Sequence, residues 1–495
     1  MKTATTTAAQ LEEAGRRLDA SYHASEGIRA HRFIRQWAGQ TTRPQATAKG
    51  TTRERTSTYS KRRLDTLAEV CMPGGVFIPG RFKRIYVDDP AHGAPYLTGG
   101  SIMQADPLAG AKLLSYRYTA KLDELALRER MILITCSGTI GNCVYVNANF
   151  KGAVGSPDLI RIIANPKEIL SGYLYAWLSS PLGRALIEQK TYGAVVPHIE
   201  SDHVVDLPIP RLDLATEQRI HELVEQAAAL KSKAISFVSG AQAAFFRIHD
   251  LSRLTNREAL TKGLWCFPVL RSQYGQFALT AWTYNPMAQR ICAGISERTR
   301  HAFLGDLVAK PGIFYGHQFK RIDADPTVGI ELLSQSHVSQ ERPAGRWISK
   351  DSVSDYLEYV VPDGAILVAA QGTMGDNELF GHCQFSHRNF ENHMITQHIL
   401  RVIADPQKVN PGYLFAFLSS EYGFQLLRST ECGTKLLGLI LPLVERIPVP
   451  LARQDAQNQI GEMIFRAYDC RADALQLEDQ AQVMLTEALG MTNAR

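Results

Sequence analysis

Two stretches of the chain carry the same long apolar stripe, and this pair of stripes constrains the fold more than any other feature. In Asp213–Ile248, and again in Asp455–Gly490, apolar residues recur at steps of three and four. That spacing is typical of helices that pack along each other in a coiled coil. A helix of about 30 residues spans roughly 45–50 Å. The sequence therefore predicts two long helices that pair antiparallel as a rigid spacer and hold two units apart.

The residues of each stripe are assigned from this spacing alone. The first stripe consists of Ile220, Leu223, Val224, Ala227, Leu230, Ala234, Val238, Ala241, Phe245 and Ile248. The second consists of Ile460, Met463, Ile464, Ala467, Cys470, Ala474, Leu477, Ala481, Met484 and Ala488, with Gly490 where a helix would be capped.

An internal repeat identifies the two units. Three segments recur 240 residues later: Gly172–Ser180 as Gly412–Ser420, Arg161–Ala164 as Arg401–Ala404, and Leu207–Pro210 as Ile447–Pro450. Upstream the separation drifts, as insertions in loops would produce: Ser137–Gly141 matches Gln371–Gly375, and Phe82–Ile85 matches Phe319–Ile322. A period near 240 residues is far longer than a solenoid repeat, so it indicates domain duplication.

The repeat and the stripes together predict the domain organisation and the fold class. The boundaries are 1–212 for a first domain, 213–250 for a central helix, 251–452 for a second domain and 453–495 for a C-terminal helix. Each domain is predicted to be mixed α/β (α+β), because β-rich segments such as Met131–Thr135 and Ala365–Ala369 precede short helices. The Gly- and Pro-rich segments Pro73–Gly80 and Pro311–Gly316 are predicted to be loops, and the two halves are expected to be related by a pseudo-twofold axis.

Composition limits the class of protein and its compartment. Hydrophobic residues make up 45% of the chain, which is enough for two or three ordinary cores. No run of eighteen apolar residues occurs, and the N-terminus lacks the apolar centre of a signal peptide, so we expect a cytoplasmic protein with no membrane segment. The eight cysteines form no Cys-x-x-Cys pair and are interpreted as small buried residues in a reducing compartment.

The net charge of +5 is mildly basic, and its distribution is uneven. Arg43–Arg63 is a dense basic, Thr-rich run with few apolar residues. It is either a solvated linker or an arm that contacts phosphates.

The motifs of the two units carry a resemblance to a known family. The segments ILITCSGTIGN, GYLYAWLSSPLG and YGAVVPHIESDHVVDLPIPRLDLATEQRI resemble a target-recognition domain of the specificity subunit of type I restriction-modification systems. ILVAAQGTMGDN, GYLFAFLSSEYG and CGTKLLGLILPLVERIPVPLARQDAQNQI resemble the second such domain. The order of domain, helix, domain, helix is the specific part of the match, which covers most of the chain from Leu64. The chain departs from the family where the usual Glu-Gln pair, present as Glu217-Gln218, becomes Gln457-Asn458.

The resemblance implies a non-catalytic protein that reads a bipartite sequence in double-stranded DNA, one half per domain, in a type I or related phage-defence system. It implies that the paired helices fix the spacing and dock DNA methyltransferase subunits, of which two are expected. S-adenosylmethionine would then belong to the methyltransferase, and this chain would need no cofactor of its own. Whether a restriction or translocase subunit completes the complex stays open. The alternative is a scaffold that binds partner proteins without reading DNA.

Known catalytic signatures are missing from the sequence. There is no phosphate-binding Gly-x-x-x-x-Gly-Lys-Ser/Thr loop and no Asn/Asp-Pro-Pro-aromatic motif, and the nearest segment, Tyr284–Met287, lacks the second proline and the aromatic residue. His382, His387, His393 and His398 lie close in sequence. A metal site there is conceivable, but polar loop histidines are commoner, so we predict neither a catalytic nor a metal site.

Candidate DNA-contacting residues lie in three repeated loops. They are Lys83, Arg84, Ser137, Thr139, Tyr192 and His198 in the first domain, and Lys320, Arg321, Gln371, Thr373 and Lys435 in the second. Phosphate contact competes with simple solvation for the lysines and arginines, and a turn needed only for folding is the alternative for the two Gly-Thr-x-Gly loops. The adjacent Phe82 and Phe319 are predicted to anchor these loops in the core.

Overall fold

The computed structural model describes residues 25–39, 62–191, 197–254, 267–271, 278, 280–353, 355–375 and 378–491. Its two longest elements are the helices Leu214–Ile248 and Gln454–Ala488, each of 35 residues, termed here the central helix and the C-terminal helix. The elements before the central helix form the first unit, and those between the two long helices form the second unit. Both long helices begin at equivalent positions of the repeat.

The two long helices pack against each other antiparallel, as predicted. The Lys231 ammonium lies 2.8 Å from Glu478 Oε1, whereas a Cβ on Gly240 would lie 2.7 Å from the methyl carbon of Met463. Because the residue number on the C-terminal helix falls as that on the central helix rises, the two helices run in opposite directions. Small side chains line the contact at heptad spacing: Ala227, Ala234 and Ala241 on the central helix, and Ala467, Ala474 and Ala481 on the C-terminal helix, all buried. The register sets Ala234 opposite its own repeat counterpart, Ala474, where the pseudo-twofold axis passes.

The buried alanines, which we term the alanine layers, form the centre of the helix contact, and two larger residues of the predicted stripe do not. Leu230 is only half-buried and Ile248 is 42% exposed, so neither lies at the centre of the helix contact. Alanine lets two helices approach closely, and larger side chains are then displaced to the flanks of the contact. Lys231, which the sequence pattern did not place in the stripe, reaches across to the partner helix instead.

The first unit contains two four-stranded sheets and a two-stranded sheet. The first sheet is antiparallel, in the order Cys71–Phe77, Leu159–Ala164, Ile132–Thr135, Cys143–Tyr145. The second has the order Tyr86–Val87, Lys112–Ser115, Gly93–Leu97, Val154–Gly155, with the last pair parallel. The third pairs Leu64–Thr66 with Pro208–Pro210. The helices of the unit are Glu26–Trp37, Leu67–Val70, Leu122–Leu125, Ser171–Ser179 and Pro181–Gln189, with 3-10 turns at Pro90–His92, Ser101–Met103, Ala148–Phe150 and Ser201–His203.

The second unit repeats most of this topology, with three strands instead of four in its second sheet, and each half is mixed α/β. Its antiparallel sheet has the order Val308–Tyr315, Ile399–Ala404, Ile366–Ala369, Cys383–Phe385. Its other sheets are Arg346–Ser349 with Gly329–Leu333 and Met394–Ile395, His301–Phe303 with Pro448–Pro450, and Glu431–Cys432 with Gly438–Leu439. The helices are Pro286–Arg298, Leu304–Leu307, Gln335–Val338, Pro411–Leu418, Glu421–Ser429 and Leu441–Val444, with 3-10 turns at Lys350–Ser352 and Tyr356–Tyr359.

The two segments predicted to be Gly- and Pro-rich loops are largely strand, so that prediction was wrong. Cys71–Phe77 and Val308–Tyr315 each lie at the edge of their sheet, and each has a register shift between its first and last paired residues. Proline is tolerated at an edge or a bulge because no ladder hydrogen bond is needed there. The sequence pattern could not separate such a strand from a loop.

Each long helix packs on both units. The ring of Phe245, near the end of the central helix, stacks on Phe417 of the second unit at 5.4 Å between centroids. Gln482 of the C-terminal helix donates to the Ala176 carbonyl of the first unit at 2.8 Å. Leu485 also lies within the core of that unit. The helices are therefore structural parts of both units. The distance between the two units cannot change unless both of their cores repack.

The starts of the two long helices differ in chemistry but not in position. Glu217 is buried and accepts hydrogen bonds from the Arg211 guanidinium, which also binds Asp65 at 2.9 Å. In the second copy Gln457 donates to the Ala452 carbonyl and accepts from the Asn410 amide. Glutamine thus replaces a buried ion pair with neutral hydrogen bonds, and the helix still begins at the equivalent residue.

The two units also touch each other directly at one place, in addition to being joined by the helices. The Ala105 amide donates to the Ser339 carbonyl at 3.0 Å, and the Glu341 amide donates to the Met103 carbonyl at 2.9 Å. Gln104 and Gln340, at equivalent sheet positions, form the centre of this short antiparallel pairing. We term it the interdomain bridge. It lies on the pseudo-twofold axis, so each unit contributes the same segment.

Charged side chains reinforce the interdomain bridge. Arg342 of the second unit binds Asp479 and Glu478 of the C-terminal helix at 2.8 and 3.3 Å. Although burial acts in the opposite direction, Lys231 and Arg342 lower the pKa of the Glu478 carboxyl. Burial raises the pKa of Glu341, whose carboxylate lies 3.9 Å from Lys231.

Other sequence expectations have mixed outcomes. Among the seven cysteines that the structure describes all are free thiols and most are at least half-buried, but Cys432 is exposed at a hairpin, against expectation. Tyr192 and residues 43–61 of the basic run lie outside the described residues. Among the helices of the described ranges, none combines the length and apolar character that spanning a membrane needs.

Candidate nucleic-acid interface

The Gly-Thr-x-Gly loop of the first unit is a turn fixed by its own hydrogen bonds. Gly138 and Gly141 have φ of 75° and 86°, in the left-handed region that favours glycine. The Thr135 hydroxyl donates to the Thr139 carbonyl, and the Gly141 amide donates to the Thr135 carbonyl at 3.0 Å. These contacts hold the backbone and leave the Thr139 side chain exposed.

Three loops of the first unit converge around this turn. Ser137 forms an antiparallel bridge with His198 of the third loop. The Cys136 amide donates to the Asp158 carbonyl at 3.3 Å. The Asp158 carboxylate lies 3.8 Å from the guanidinium of Arg84, in the Phe-Lys-Arg-Ile segment. The fold therefore brings together residues from four places in the sequence.

The second unit has the same convergence. Gly372 and Leu437 exchange backbone hydrogen bonds of 3.3 and 2.9 Å, which join the Gly-Thr-Met-Gly loop to the loop that carries Lys435. Arg321 donates to the Gln397 side chain at 2.9 Å. The adjacent His398 accepts from the Ala370 amide through its carbonyl at 3.2 Å. Two copies of one loop cluster thus occur in the molecule.

The chemistry at equivalent positions differs between the two clusters. Asp158 in the first becomes His398 in the second, and the residue before it changes from Pro157 to Gln397. Burial and the nearby Arg321 lower the pKa of His398, so its ring is neutral near pH 7. An acidic site therefore faces Arg84 in one unit, and neutral hydrogen-bonding groups face Arg321 in the other.

Sequence reasoning did not select Asp158 or Gln397 as site residues. Asp158 stands three residues before Arg161 and Gln397 four residues before Arg401, so a signal was present: a mismatch between the two copies close to a segment that matches. Gln335, also missed, exchanges hydrogen bonds of 2.9 and 2.7 Å with the backbone of Gln371.

The predicted contact residues fall into three groups by exposure. Lys83, Arg84, Thr139, Lys320, Arg321, Thr373 and Lys435 are exposed, Ser137, His198 and Gln371 are half-buried, and Tyr192 lies outside the described residues. Phe82 and Phe319 pack as anchors beneath the basic pairs. The Phe82 ring meets Tyr96 at 6.3 Å, and the Phe319 ring meets Tyr359 at 4.7 Å.

A buried arginine supports each cluster from below. Arg161 donates to the Leu159 and Gly155 carbonyls at 2.9 and 2.7 Å, and its counterpart Arg401 donates to the Ile395 carbonyl at 3.1 Å. Burial lowers the pKa of each guanidinium to about 10, so both remain charged near neutral pH. They hold the backbone on either side of Asp158 and His398.

The four histidines close in sequence do not meet in space. His387 binds Asp469 at 3.0 Å, and His393 binds Glu331 at 3.0 Å. The ring of His382 packs on Phe424 at 4.6 Å, and burial lowers its pKa to about 4. Within the described ranges no group of three or more histidine, cysteine, aspartate or glutamate side chains could hold a metal ion.

Comparison with known proteins gave matches among solved structures alone. No family model and no curated protein matches the chain. The type I restriction-modification S subunit of M. genitalium aligns at 10% identity, with 88% of this chain and 97% of that chain covered and a TM-score of 0.34. The HsdS subunit of Thermoanaerobacter tengcongensis aligns at 14% identity over 87% and 97%, with a TM-score of 0.27. A chain from a structure describing assembly and conformational transition of the type I R-M system aligns at 15% over 87% and 98%, with a TM-score of 0.27. Two of these three structural neighbours are described as S or HsdS subunits, and the third as part of a type I R-M system.

Proposed function

We propose that this chain is the DNA-recognition subunit of a type I restriction-modification complex or a related phage-defence methyltransferase. The observation that supports this most is the duplicated loop cluster, in which Arg84 and Arg321 occupy equivalent places on opposite sides of a pseudo-twofold axis. Each unit would act as one DNA-reading head, and we use that word for the units below. Two similar heads at a fixed separation can contact two nearby groove segments of one duplex. The divergent pair Asp158 and His398 suits two half-sites of different sequence.

The division of labour follows the architecture. Residues 1–212 and 251–452 would be the two target-recognition domains, and 213–250 with 453–495 would be the spacer helices that dock two methyltransferase subunits. The methyltransferase would supply S-adenosylmethionine and the chemistry in the cytoplasm, and this chain would be non-catalytic.

The exposed basic residues would position the duplex, and the loops around them would read it. Lys83, Arg84, Lys320 and Arg321 can each neutralise a phosphate, which releases counterions and makes affinity fall with rising salt. Thr139, Thr373 and Lys435 present donors from turns whose backbones are already held. Ser137, His198 and Gln371 line the same turns.

Exchange of one head tests the proposal. We replace Leu64–Leu207 by the equivalent segment of a relative, purify the chain with its methyltransferase, and sequence methylated genomic DNA. One half of the methylated motif should change, while the other half and the gap persist. The matched exchange of His301–Ile447 should change the other half. A change in both halves from one exchange would contradict the proposal, and duplex binding without salt dependence would favour a protein scaffold instead.

A further inference from the structure

An exposed aromatic and basic surface extends the loop cluster of the first unit. Tyr86, Tyr116 and Tyr118 are 37%, 50% and 58% exposed. The Lys112 ammonium lies 5.5 Å from the centre of the Tyr86 ring, and the Arg117 guanidinium lies 5.4 Å from that of Tyr118. We term these five residues the tyrosine patch. A single exposed aromatic residue is ordinary on a protein surface, whereas a group of them is typical of a binding surface.

The tyrosine patch is continuous with the candidate interface. The Arg84 guanidinium lies 5.5 Å from the ring centre of Tyr96, and the Tyr96 ring lies 6.1 Å from that of Tyr86. Arg84 also faces Asp158. The Ser115 amide donates to the Ile85 carbonyl at 2.9 Å, which fixes the strand before Tyr116 directly against the Phe-Lys-Arg-Ile segment.

The second unit keeps the framework but has no aromatic residue at the positions equivalent to the three tyrosines, although Trp347 on the strand Arg346–Ser349 is 37% exposed. The Ser349 amide donates to the Ile322 carbonyl at 2.8 Å, as Ser115 does to Ile85. The sheet registers give the second-unit residue that is equivalent to each residue of the patch. These are Arg346 for Lys112, Asp323 for Tyr86, Lys350 for Tyr116, Asp351 for Arg117 and Ser352 for Tyr118. Arg346 binds Asp323 at 2.8 Å. A patch required for folding would have been retained in both copies.

We propose that the tyrosine patch is an additional duplex-DNA contact that belongs to the first head alone, an inference that rests on the proposed function. Arg117 and Lys112 supply positive charge for phosphates, and the tyrosine hydroxyls donate hydrogen bonds to phosphate or base edges. The patch widens the footprint of the first head beyond that of the second.

The test uses the chain purified with its methyltransferase and a labelled duplex that carries the methylated motif. Tyr118→Ala and Tyr116→Ala should each weaken binding by about tenfold, which is the effect of losing one hydrogen bond to a charged group. Arg117→Ala should reduce the slope of log affinity against log salt by about 0.9. The transplant of second-unit residues, Tyr116→Lys with Arg117→Asp and Tyr118→Ser, should weaken binding further.

Two controls match the size and the charge of these changes. Phe303→Ala removes a 49% exposed aromatic residue from the second unit, and Arg29→Ala removes a cation that pairs with Glu26 on the helix Glu26–Trp37. Both should leave affinity and salt slope unchanged. If the wild-type complex binds the duplex with normal salt dependence but the tyrosine variants bind equally well, the patch proposal fails and the proposed function stands. If the wild-type complex shows no salt-dependent duplex binding, the proposed function itself fails. If the tyrosine variants lose the methyltransferase instead of the duplex, the patch is a protein-binding surface and the inference is overturned.

Discussion

The buried arginine beneath each loop cluster is the residue whose position matters most for the candidate interface. Arg161 is fully buried and donates to backbone carbonyls at the turn that carries Asp158. Removing the guanidinium would leave those carbonyls without donors in a dry environment, which costs about 1–3 kcal/mol for each group.

We therefore expect Arg161→Met to lower the urea midpoint of unfolding strongly and to weaken duplex binding. Arg184→Ala is the control, because Arg184 is exposed and its pair with Glu188 at 2.7 Å is worth less than about 1 kcal/mol. Equal urea midpoints for the two variants would show that the buried hydrogen bonds contribute little.

A buried histidine makes stability depend on pH. His249, at the end of the central helix, lies 2.6 Å from the Tyr413 hydroxyl. That hydroxyl gives its proton to the Pro450 carbonyl, so the histidine is the donor. Burial lowers the pKa of His249 to about 4, below the ordinary value of 6.5. The unfolded chain therefore binds a proton that the folded chain excludes, and stability is lost as pH falls from 6.5 towards 4.

The repeat supplies the substitution that tests this pH dependence. The equivalent residue on the C-terminal helix is Leu489, also buried. His249→Leu should flatten the fall in melting temperature between pH 7.5 and pH 4.5, where the native protein loses up to about 3 kcal/mol from this group. His337→Leu, at a half-buried site in a short helix, is the comparison variant. An unchanged pH profile in His249→Leu would assign the acid sensitivity elsewhere.

At the scale of elements, close helix crossings require glycine. A Cβ on Gly412 would lie 2.6–3.1 Å from backbone atoms of Gly461, where the short helix Pro411–Leu418 crosses the C-terminal helix. Backbone cannot move aside as a flexible side chain can. Gly412→Ala should therefore cost about 3 kcal/mol or more and lower the melting temperature.

Gly294 provides a matched contrast. It lies in the helix Pro286–Arg298, and a Cβ there would have nothing within 4 Å. Gly294→Ala should stabilise the helix by about 0.5–1 kcal/mol, because alanine loses less backbone entropy on folding. A melting temperature for Gly412→Ala at or above that of the wild-type chain would contradict the crossing argument.

The sequence predicted the elements whose signals are local and periodic. The three-four spacing gave the two long helices to within a residue or two, and the repeat of Gly172 as Gly412 placed the helices that cross them. It could not predict the interdomain bridge. Gln104 and Gln340 form that bridge through backbone atoms, so no side-chain pattern marks them, and drift in the repeat hides their equivalence.

The candidate site was predictable only in part, for a related reason. Matching motifs selected the framework turns, whereas Asp158 and Gln397 emerged only when the fold brought them beside Arg84 and Arg321. Leu230 likewise lies outside the centre of the helix contact, which the buried alanines occupy. Periodicity predicts which face of a helix is apolar, but not which residues of that face lie at the centre of the contact.

At the scale of the whole molecule, the helix pair is predicted to set the distance between the two heads. Because both helices pack on both units, a heptad must be inserted after Leu230 and after Cys470 together to keep the register. The two inserts would lengthen the pair by about 10 Å, or roughly three base pairs of DNA. Methylation sequencing should then find unchanged half-sites with a longer gap.

A heptad inserted in the central helix alone is the control. It leaves two turns of that helix with no helix to pack against, so it should lower the melting temperature instead. The double insertion must also open the interdomain bridge, so we expect a lower melting temperature there too, but a folded and active complex. An active double variant that still methylates the original gap would show that the helices do not set the spacing.

The interdomain bridge and the helix pair connect the two units at two separate places, so the molecule forms a closed frame. One added base pair between two half-sites turns the second half-site by roughly 35° about the duplex axis. If the chain reads DNA as proposed, two hinged units could rotate to follow this turn, whereas units joined both by the helices and by Gln104 and Gln340 could not. In the proposed complex the torsional strain of a mismatched gap would then fall on the DNA, and the stiffness of the duplex would be part of how the gap is measured.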